Sequence, residues 1–466
     1  MTGAAEAVGA GLTGVARIAV VGGSVAGCAG ALAAAEAQPD ADVVVFERSA
    51  GILRDRGAGI AIHRHRYAEL AAAGFLDASL PGLRAERRLW FAREGGSLSE
   101  NRGENRGENW GDNWGENLAE DLAGNLAEDL AEDHVEDPPM GKLLGSHPFP
   151  FTSHSWGQLY RYLRGRLPER VDYRPDSPVL AVRPTTTGAD LVLADGDTES
   201  FDLVLGADGY RSVVREAMFP GVVPQYAGYL CWRGLGDMTR IAGLPEEAFF
   251  TVGHATGHLV AYPIPADSGG TALNWVLFST VPPELGTGLG TGLGTGLTTD
   301  VSAAATSVPP GAASEVLLDY LETVVSRQLP PFWADAIRTT DREDVFIQPM
   351  YDLEAPAFAQ GRLLLLGDAG AVSRPHAGAG ALKAVQDAAV LAQLWPEAAD
   401  AEDLARRYDA ARRPAGHSVV ALARRIGQAQ VVEVPDWGAF EEAGLLGWLD
   451  ELMRGSDGTV MGGRPL

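Results

Sequence analysis

Three small residues near the start of the chain have the types and spacing that bind a pyrophosphate. Gly22, Ser24 and Gly27 follow the apolar run at residues 18–21 and precede an alanine-rich segment. This order predicts a buried parallel strand, a tight turn and a helix, because the glycines tolerate a turn that a β-carbon would obstruct. The N-terminus of that helix, with its free N–H groups, then faces the phosphates of a dinucleotide.

The acid after the second predicted strand completes this motif. Residues 43–46 are apolar and lead into Glu47, whose carboxylate can accept hydrogen bonds from ribose hydroxyl groups. An ordinary strand–helix joint would use glycine in the same way, and Arg54 suits a solvated loop as well as it suits a phosphate. The predicted dinucleotide site also includes four neighbouring residues: Val25, Ala26, Arg48 and Arg54.

The charge and the cysteines exclude several classes of protein. The formal charge of the 466 residues is −25, and residues 94–137 alone contribute −12 through fourteen acids and two arginines. Nucleic-acid binding requires a basic surface that this chain lacks, so we expect no nucleic-acid partner. Cys28 and Cys231 provide neither a disulfide framework nor a metal cluster, which predicts no metal and a cytoplasmic location. No membrane span is expected, because no stretch of about 20 residues is strongly apolar.

Two further acids follow short apolar runs later in the chain. They are Asp208 and Asp368. Beyond Asp368, Gly378 and Gly380 precede a predicted helix at 382–394, so a second helix N-terminus is expected close to a strand-ending acid. The segments between these motifs are rich in aromatic residues and predict a mixed or antiparallel sheet: 226–233, 258–265 and 273–280.

Taken in order, these sites resemble the FAD-dependent aromatic monooxygenases of group A, typified by p-hydroxybenzoate hydroxylase. The segments YAGYLCWRG, GHLVAYPIP and RPHAGAGALKA resemble the 2,6-dihydroxypyridine 3-monooxygenase subfamily of that class. The residues that carry the resemblance are Gly22, Ser24 and Gly27 with Glu47, then Asp208 with Gly209, and finally Gly367 and Asp368 with Pro375, Gly378 and Gly380.

The resemblance implies a fold and a reaction. The fold is α/β: a Rossmann-like FAD-binding domain of the glutathione reductase type, interleaved with a mixed β-sheet substrate domain and followed by C-terminal helices. NADH or NADPH reduces the FAD, and O₂ then gives a flavin hydroperoxide that hydroxylates an electron-rich aromatic or heteroaromatic small molecule. The implied domains are 14–88, 150–220 and 338–400 for FAD, 89–96 and 221–337 for the substrate, 97–140 as an acidic low-complexity insertion, and 401–466 as C-terminal helices.

The resemblance also implies roles for single residues. Gly22, Ser24 and Gly27 hold the pyrophosphate, and Glu47 holds the adenosine ribose. Asp208 lies near the phosphate and ribityl region, and Asp368 accepts from the ribityl hydroxyl groups. The pyrimidine end of the flavin receives the backbone N–H groups of Gly378, Gly380 and Ala381. Where Trp156 stands the family often carries an arginine that contacts FAD, and Gln158 nearby is a candidate cofactor-binding residue.

The substrate is expected between the aromatic strands and the flavin. Its candidate walls are Tyr229 and Trp232, and the candidate catalytic residues are His258, Tyr262, Pro375 and His376. A histidine with a pKa near 6.5, or a tyrosine relay, can remove the proton of a substrate hydroxyl group. Packing in the core is the other interpretation of these aromatic residues.

Other functions remain open at this point. A flavin-dependent epoxidase or halogenase has the same fold, although the halogenase string W-x-W-x-I-P is missing from this sequence. A non-catalytic FAD-binding protein is the second alternative. We expect a monomer or a homodimer that takes a small aromatic substrate and O₂.

Overall fold

The computed structural model describes residues 12–51, 59–93, 139–245, 247–281 and 307–456. Within these ranges the chain forms a six-stranded, a nine-stranded and a three-stranded sheet, together with nine α-helices. The strands are β1 Arg17–Val21, β2 Asp42–Phe46, β3 Gly59–His63, β4 Leu83–Ala92, β5 Lys142–Ser155, β6 Asp172–Arg174, β7 Val179–Pro184, β8 Ala189–Leu193, β9 Thr198–Phe201, β10 Leu203–Gly206, β11 Gln225–Asp237, β12 Ala248–His254, β13 Gly257–Pro265, β14 Thr271–Ser279, β15 Phe346–Glu354, β16 Ala359–Gln360, β17 Leu363–Leu365 and β18 Ala371–Val372. The helices are α1 Val25–Ala37, α2 Arg64–Ala72, α3 Trp156–Gly165, α4 Val213–Met218, α5 Glu315–Gln328, α6 Pro331–Arg338, α7 Gly380–Leu394, α8 Ala401–Gly427 and α9 Glu442–Leu452.

The six-stranded sheet has the order β16-β17-β10-β1-β2-β6. All its pairs are parallel except β16 with β17, and β1 lies between β10 and β2 at the centre. The interior of β1 is fully apolar and buried, as a strand covered on both faces requires. The predicted strand, turn and helix at the start of the chain are therefore confirmed.

Two glycines allow the β1–α1 turn to close. Gly22 has a φ of +96°, and a β-carbon there would lie 2.4 Å from the carbonyl oxygen of Ala207. A β-carbon on Gly27 would lie 1.7 Å from the carbonyl oxygen of Gly22. Any larger residue at either position would force the helix away from the sheet.

The nine-stranded sheet has the order β18-β15-β11-β14-β13-β12-β4-β5-β3. Its pairs are antiparallel except for β12 with β4, where Ala248 pairs with Arg87 in parallel register. The predicted mixed sheet is thus confirmed, as is the α/β fold with helices at the C-terminal end of the described residues. The proposed division of the chain into domains stays a prediction.

Some predicted elements are corrected by the structure. The sequence over 151–167 predicts a helix, but residues 151–155 belong to β5 and the helix begins at Trp156, where the Ser155 hydroxyl caps it by accepting from the Gln158 N–H. The apolar residues of 201–205 predict a single strand, but Phe201 ends β9, which pairs antiparallel with β8, while β10 begins at Leu203 and pairs parallel with β1. The apolar run does not show that the pairing partner changes at Asp202.

The structure also contains elements that the sequence analysis did not predict. Among them are the two inner strands β12 and β15 and the helices α5 and α6. Helices α5 and α6 cover one face of the nine-stranded sheet, where the leucines of α5 and Trp333 of α6 share a core cluster with Trp232, Trp275 and Phe250. Helix α9 packs on β4 and β5, with Leu445 buried beside Trp90 and Leu144.

The acidic low-complexity insertion at 97–140 lies almost wholly outside the described residues, and the GTGL repeats at 286–297 lie wholly outside them. The acidic segment joins β4 to β5, which are adjacent antiparallel strands, and Ala92 pairs with Lys142 at its two ends. The carbonyl oxygen of Pro139 accepts from the Phe332 N–H over 2.8 Å. The chain therefore needs only a hairpin connection at this point, provided that Pro139 is kept.

We predict that residues 95–137 can be replaced by a short Gly/Ser linker without loss of the fold. The ends of β4 and β5 are already paired, and the free energy of loop closure depends only weakly on loop length. Thermal unfolding and FAD content should match those of the full chain. A shortened protein that is insoluble or binds no FAD would contradict this prediction.

Candidate active site

One cavity of about 1370 Å³ is lined by residues from both large sheets. Single small-molecule sites usually span about 300–1,000 Å³, so this cavity has room for a cofactor and a second molecule. Some of its lining residues follow strands of the parallel sheet. The others project from the nine-stranded sheet and from the C-terminal helices.

The β1–α1 turn forms part of the cavity wall. Gly22, Ser24, Val25 and Ala26 line it, whereas Gly27 lies beneath the turn and acts through its close contact with Gly22. The Ser24 side chain makes no capping hydrogen bond to α1. The turn therefore leaves a hydroxyl group and a helix N-terminus available to an anion.

Glu47 lies at the end of β2 and is 5% exposed. Its Oε2 accepts from the Gly23 N–H and its Oε1 from the Ser49 N–H, both over 2.8 Å. Because each carboxylate oxygen has a second lone pair, Glu47 can still accept from a ribose hydroxyl group while it holds the turn in place. Arg48 also lines the cavity, whereas the position of Arg54 lies outside the described residues.

Asp208 follows β10 and lines the same cavity. Its Oδ2 accepts from the N–H groups of Val213 and Val214, at 2.7 and 3.3 Å. Its Oδ1 is buried without a hydrogen-bond partner, and burial raises the pKa of the carboxyl group. A hydroxyl group of a bound molecule would supply the missing donor.

Asp368 follows β17 and also lines the cavity. Among the described residues no group donates a hydrogen bond to its carboxylate, and burial raises its pKa while Lys383 lowers it. Asp208, through its Oδ1, and Asp368 therefore offer carboxylate oxygens without donors to the cavity beside a phosphate-binding turn. This donor and acceptor set fits FAD, whose pyrophosphate needs N–H donors and whose ribityl chain supplies hydroxyl groups.

The start of α7 contributes the backbone groups that were expected to meet the flavin. Gly378, with a φ of +60°, Gly380 and Ala381 line the cavity, and Pro375 and His376 precede them on a short 3₁₀ turn. Gln158 is not part of the lining, because its Nε2 donates to the carbonyl oxygen of Ala266. Trp156 lines the cavity in its place and stacks on Tyr160.

The aromatic strands present one face to the cavity, and this corrects part of the predicted wall. Successive side chains of a strand point to opposite faces, so Tyr229 and Trp232, three residues apart, cannot share a face. Trp232 packs under α5 with the core on the far side of the sheet and does not line the cavity. Tyr229 faces the cavity side but lies behind His376, to which its hydroxyl group is hydrogen-bonded over 2.7 Å.

His258 and His376 both line the cavity, with ring centroids 5.4 Å apart. The Nδ1 atom of each ring is buried without a partner. Burial is the main cause that lowers the pKa of His376 to about 3, and the positive charges of Arg374 and Arg88 contribute to this shift. Burial also lowers the pKa of His258 well below its ordinary value of 6.5. The expected pKa near 6.5 is therefore wrong for both, and both are neutral at neutral pH.

Arg88 is a site residue that the sequence analysis missed. It projects from β4 into the cavity and is only 6% exposed, with its Nε donating to the Thr251 hydroxyl over 2.8 Å. Burial lowers its pKa to about 10, so it remains a cation at neutral pH. Its charge acts on nearby His258, His376 and on Tyr262, whose pKa burial raises to about 12.

The C-terminal helix was also missed as a wall of the site. Leu446, Leu449 and Asp450 of α9 line the cavity, followed by Met453. The pattern of apolar residues in this segment predicts an amphipathic helix but does not say which surface it covers. Its position opposite the sheet makes the substrate end of the cavity largely apolar, with Arg88 as a buried charge.

Three comparisons with known proteins agree with this geometry. A family model described as FAD binding domain matches residues 312–423. The 2,6-dihydroxypyridine 3-monooxygenase of Paenarthrobacter nicotinovorans is 28% identical over 418 residues, which cover 86% of this chain and 88% of that protein. Over most of its length, the chain is therefore similar to an FAD-dependent aromatic monooxygenase.

Solved structures support the fold of this monooxygenase. The structure of 2,6-dihydroxypyridine-3-hydroxylase from Arthrobacter nicotinovorans has a TM-score of 0.70 and 23% identity, covering 92% of this chain and 95% of that one. Klebsiella pneumoniae HpxO complexed with FAD and uric acid has a TM-score of 0.64 and 20% identity, covering 96% and 97%. The resemblance, the fold class and the FAD cofactor that were expected from the sequence are confirmed.

Two searches of the described residues had negative results. They contain no helix long and apolar enough to cross a bilayer. The same part of the chain has no group of three or more metal-ligating side chains that could hold a metal ion. The roles of the single residues around the monooxygenase cavity stay predictions.

We predict that Asp368→Ala weakens FAD binding by one to two orders of magnitude. A hydrogen bond to a charged group contributes about 1.5–3 kcal/mol, and about 1.4 kcal/mol is a factor of ten. Titration of the apoprotein with FAD, followed by flavin fluorescence, measures the change. Binding of ADP, which lacks the ribityl chain, is the control and should not change. Equal FAD affinity in a folded variant would assign Asp368 to the turn alone.

Proposed function

We propose that this monooxygenase hydroxylates a small aromatic or heteroaromatic compound that already carries a ring hydroxyl group. The observation that carries the proposal is the pairing of a buried guanidinium, Arg88, with two neutral histidines in an aromatic-lined cavity beside the FAD residues. Such a site favours an aromatic hydroxyl group in its deprotonated form. Deprotonation makes the ring electron-rich, as electrophilic hydroxylation requires.

FAD, once reduced by NADH or NADPH, supplies with O₂ the electrophilic oxygen atom. The residues of the chain then have three tasks: to hold the ring, to accept its hydroxyl proton and to stabilise its negative charge. The ring is held by aromatic side chains that line the cavity: Trp90, Phe149, Phe151, Phe249 and Phe278. Stacked and tilted contacts among these rings orient a planar ligand.

His376 is the better of the two candidate bases. Its Nε2 is bound to the Tyr229 hydroxyl, which fixes the ring and leaves Nδ1 for the substrate. Tyr229 in turn lies under Arg374, which forms an ion pair with Asp352 over 2.7 Å. A neutral imidazole can accept a proton at Nδ1, and a substrate anion nearby would raise its low pKa.

Arg88 stabilises the anion that results. Burial is the main cause of the low pKa values of both histidines, and the nearby cation opposes their protonation further. The same charge stabilises a phenolate, so the proton and the negative charge are separated across the substrate. Tyr262, protonated at neutral pH, can donate a further hydrogen bond.

The alternatives from the sequence are not favoured. The 2,6-dihydroxypyridine 3-monooxygenase that is similar to most of this chain is a hydroxylase. The acids and glycines that line the cavity suit a bound FAD. A cytoplasmic location and a monomeric or homodimeric state are further parts of the proposal. The two described cysteines are buried and free, as a reducing compartment allows.

The proposal is tested with a panel of hydroxylated pyridines, phenols and indoles, each beside its methyl ether. Compounds with a free hydroxyl should stimulate NAD(P)H oxidation and take up one oxygen atom from ¹⁸O₂, whereas the ethers, which cannot ionise, should not. Arg88→Met should weaken binding of the active compounds about 10- to 100-fold, because a buried charge-assisted contact is lost.

Arg87→Met is the matched control, since Arg87 is the exposed neighbour of Arg88 on the opposite face of β4. It should leave binding unchanged. Ethers that react as well as the free hydroxyl compounds, or an Arg88 variant that binds both equally well, would contradict the proposal.

We predict that His376→Gln slows hydroxylation about 10²- to 10⁴-fold, the usual contribution of a general base, and increases the release of hydrogen peroxide. FAD content should be unchanged. His65→Gln, on the exposed side of α2, is the control. Full coupling of NAD(P)H use to product in His376→Gln would show that this residue takes no part in the chemistry.

The wild-type enzyme should keep its activity as the pH falls through 6.5, because His376, with a pKa of about 3, stays unprotonated there.

A further inference from the structure

A cluster of buried charges lies directly behind the turn that presents Asp368. Lys383 and Asp387 form an ion pair one turn apart on α7, with 3.4 Å between Nζ and Oδ2. Arg412 of α8 donates from Nε to Asp387 Oδ1 over 2.6 Å. All three side chains are at most 4% exposed. Buried ion pairs contribute little net stability compared with apolar residues of similar size, so stability alone does not explain this cluster.

The cluster holds both backbone polar groups of Gly367, the residue before Asp368. Asp387 Oδ2 accepts from the Gly367 N–H over 2.8 Å, and Lys383 Nζ donates to the Gly367 carbonyl oxygen over 2.6 Å. Gly367 has a φ of +60°, a left-handed conformation that glycine adopts without steric cost. The two charged side chains of α7 therefore fix the backbone that immediately precedes the Asp368 side chain.

Neighbouring carbonyl groups of the same segment are held in a similar way. The Tyr408 hydroxyl donates to the carbonyl oxygen of Leu365 over 2.9 Å. Arg215 Nη1 donates to the carbonyl oxygen of Ala369 over 3.0 Å. These bonds would persist without Lys383, so a change at Lys383 alters one contact of the turn and the charge behind it.

The positive and negative charges of this cluster are equal in number only when Asp368 is included. Lys383 and Arg412 are two cations, whereas Asp387 is one anion. Asp368, next to the peptide that Lys383 holds, supplies the second anion on the cavity side. The ammonium group thus lies where it favours a negatively charged Asp368, the form that accepts hydrogen bonds through both carboxylate oxygens.

A lysine at position 383 is notable because this chain almost always uses arginine as its basic residue. Of 37 basic residues only two are lysines, Lys142 and Lys383. A lysine ammonium is a compact point charge, whereas the planar arginine fork needs more room. The space below the turn is small, since a β-carbon on Gly367 would lie 3.1 Å from the Ala26 β-carbon and 3.2 Å from that of Ala384.

We propose that Lys383 is a positioning residue for FAD, which holds the Gly367 peptide and the charge of Asp368 so that this carboxylate meets the ribityl hydroxyl groups. The inference rests on FAD binding in this cavity and does not depend on the proposed substrate. The proposal for Lys383 would therefore remain valid even if none of the compounds in the substrate panel reacted.

The test is the affinity of the apoprotein for FAD in Lys383→Met. The variant keeps an unbranched side chain that is one atom shorter, and it leaves the Asp387–Arg412 ion pair in place. FAD affinity should fall about tenfold or more, as expected when a charge-assisted hydrogen bond and its effect on Asp368 are lost. ADP affinity should be unchanged, because ADP does not reach Asp368. Lys142→Met, which removes the partly exposed lysine paired with Glu441, should change neither affinity.

A double-variant cycle separates positioning from general destabilisation. In an Asp368→Asn background, Lys383→Met should weaken FAD binding by less than twofold, because its effect acts through Asp368. An unchanged FAD affinity in Lys383→Met, an equal loss of ADP binding, or full additivity with Asp368→Asn would each overturn the proposal. Lys383→Gln serves for the same measurements if Lys383→Met is not recovered folded.

The pH dependence gives a second readout. The charged groups around Asp368 are Lys383 and Asp387 on α7 and Arg215 on α4, with Arg412 behind Asp387. Burial raises the pKa of Asp368, and Lys383 and Arg215 oppose this. FAD affinity should fall as the pH drops through that pKa, and in Lys383→Met the fall should begin at a higher pH. Identical pH profiles would overturn the charge part of the proposal.

Discussion

The parallel pairing of β1 with β2 and β10, and of β10 with β17, is the constraint on which the site depends. In a parallel sheet all strands end at the same edge, so the residue after each strand is brought to one line. Gly22, Glu47, Asp208 and Asp368 come from four distant parts of the chain and meet there for this reason. Any change that shifted the register of these strands would separate the donors from the acceptors.

Much of this edge could be predicted from the sequence, because its signals are local. An apolar run followed by glycine or an acid indicates a buried strand and its functional end, and Gly22, Glu47, Asp208 and Asp368 all line the cavity as these patterns suggest. Lys383 gives no such signal. It stands inside an apolar helix, and only the pairing of α7 with the β17 turn reveals what its ammonium group contacts.

The substrate side could be predicted only in part, because it depends on long-range pairing. The aromatic strands were expected, but β12 and β15 were not, and without them the position of β4 in the sheet is unknown. Arg88 enters the cavity because β4 pairs with β12 in parallel, a contact between segments far apart in the chain. Trp232 was assigned to the wrong face because composition alone does not fix which alternate residues of a strand point inward. The histidines were found, but their low pKa values follow from burial that no sequence pattern shows.

The interleaving of the two large sheets also limits how this enzyme can be rebuilt. Strands β3 to β5 are inserted between β2 and β6, and β11 to β15 between β10 and β16, so neither sheet is a continuous piece of chain. During synthesis, β4 leaves the ribosome long before its parallel partner β12 exists, and the substrate wall cannot form until both are present. A new substrate pocket therefore cannot be grafted as one cassette from a relative. Chimaeras would have to exchange the β3–β5, β11–β14 and α9 segments together to keep the sheet and its helical cover matched.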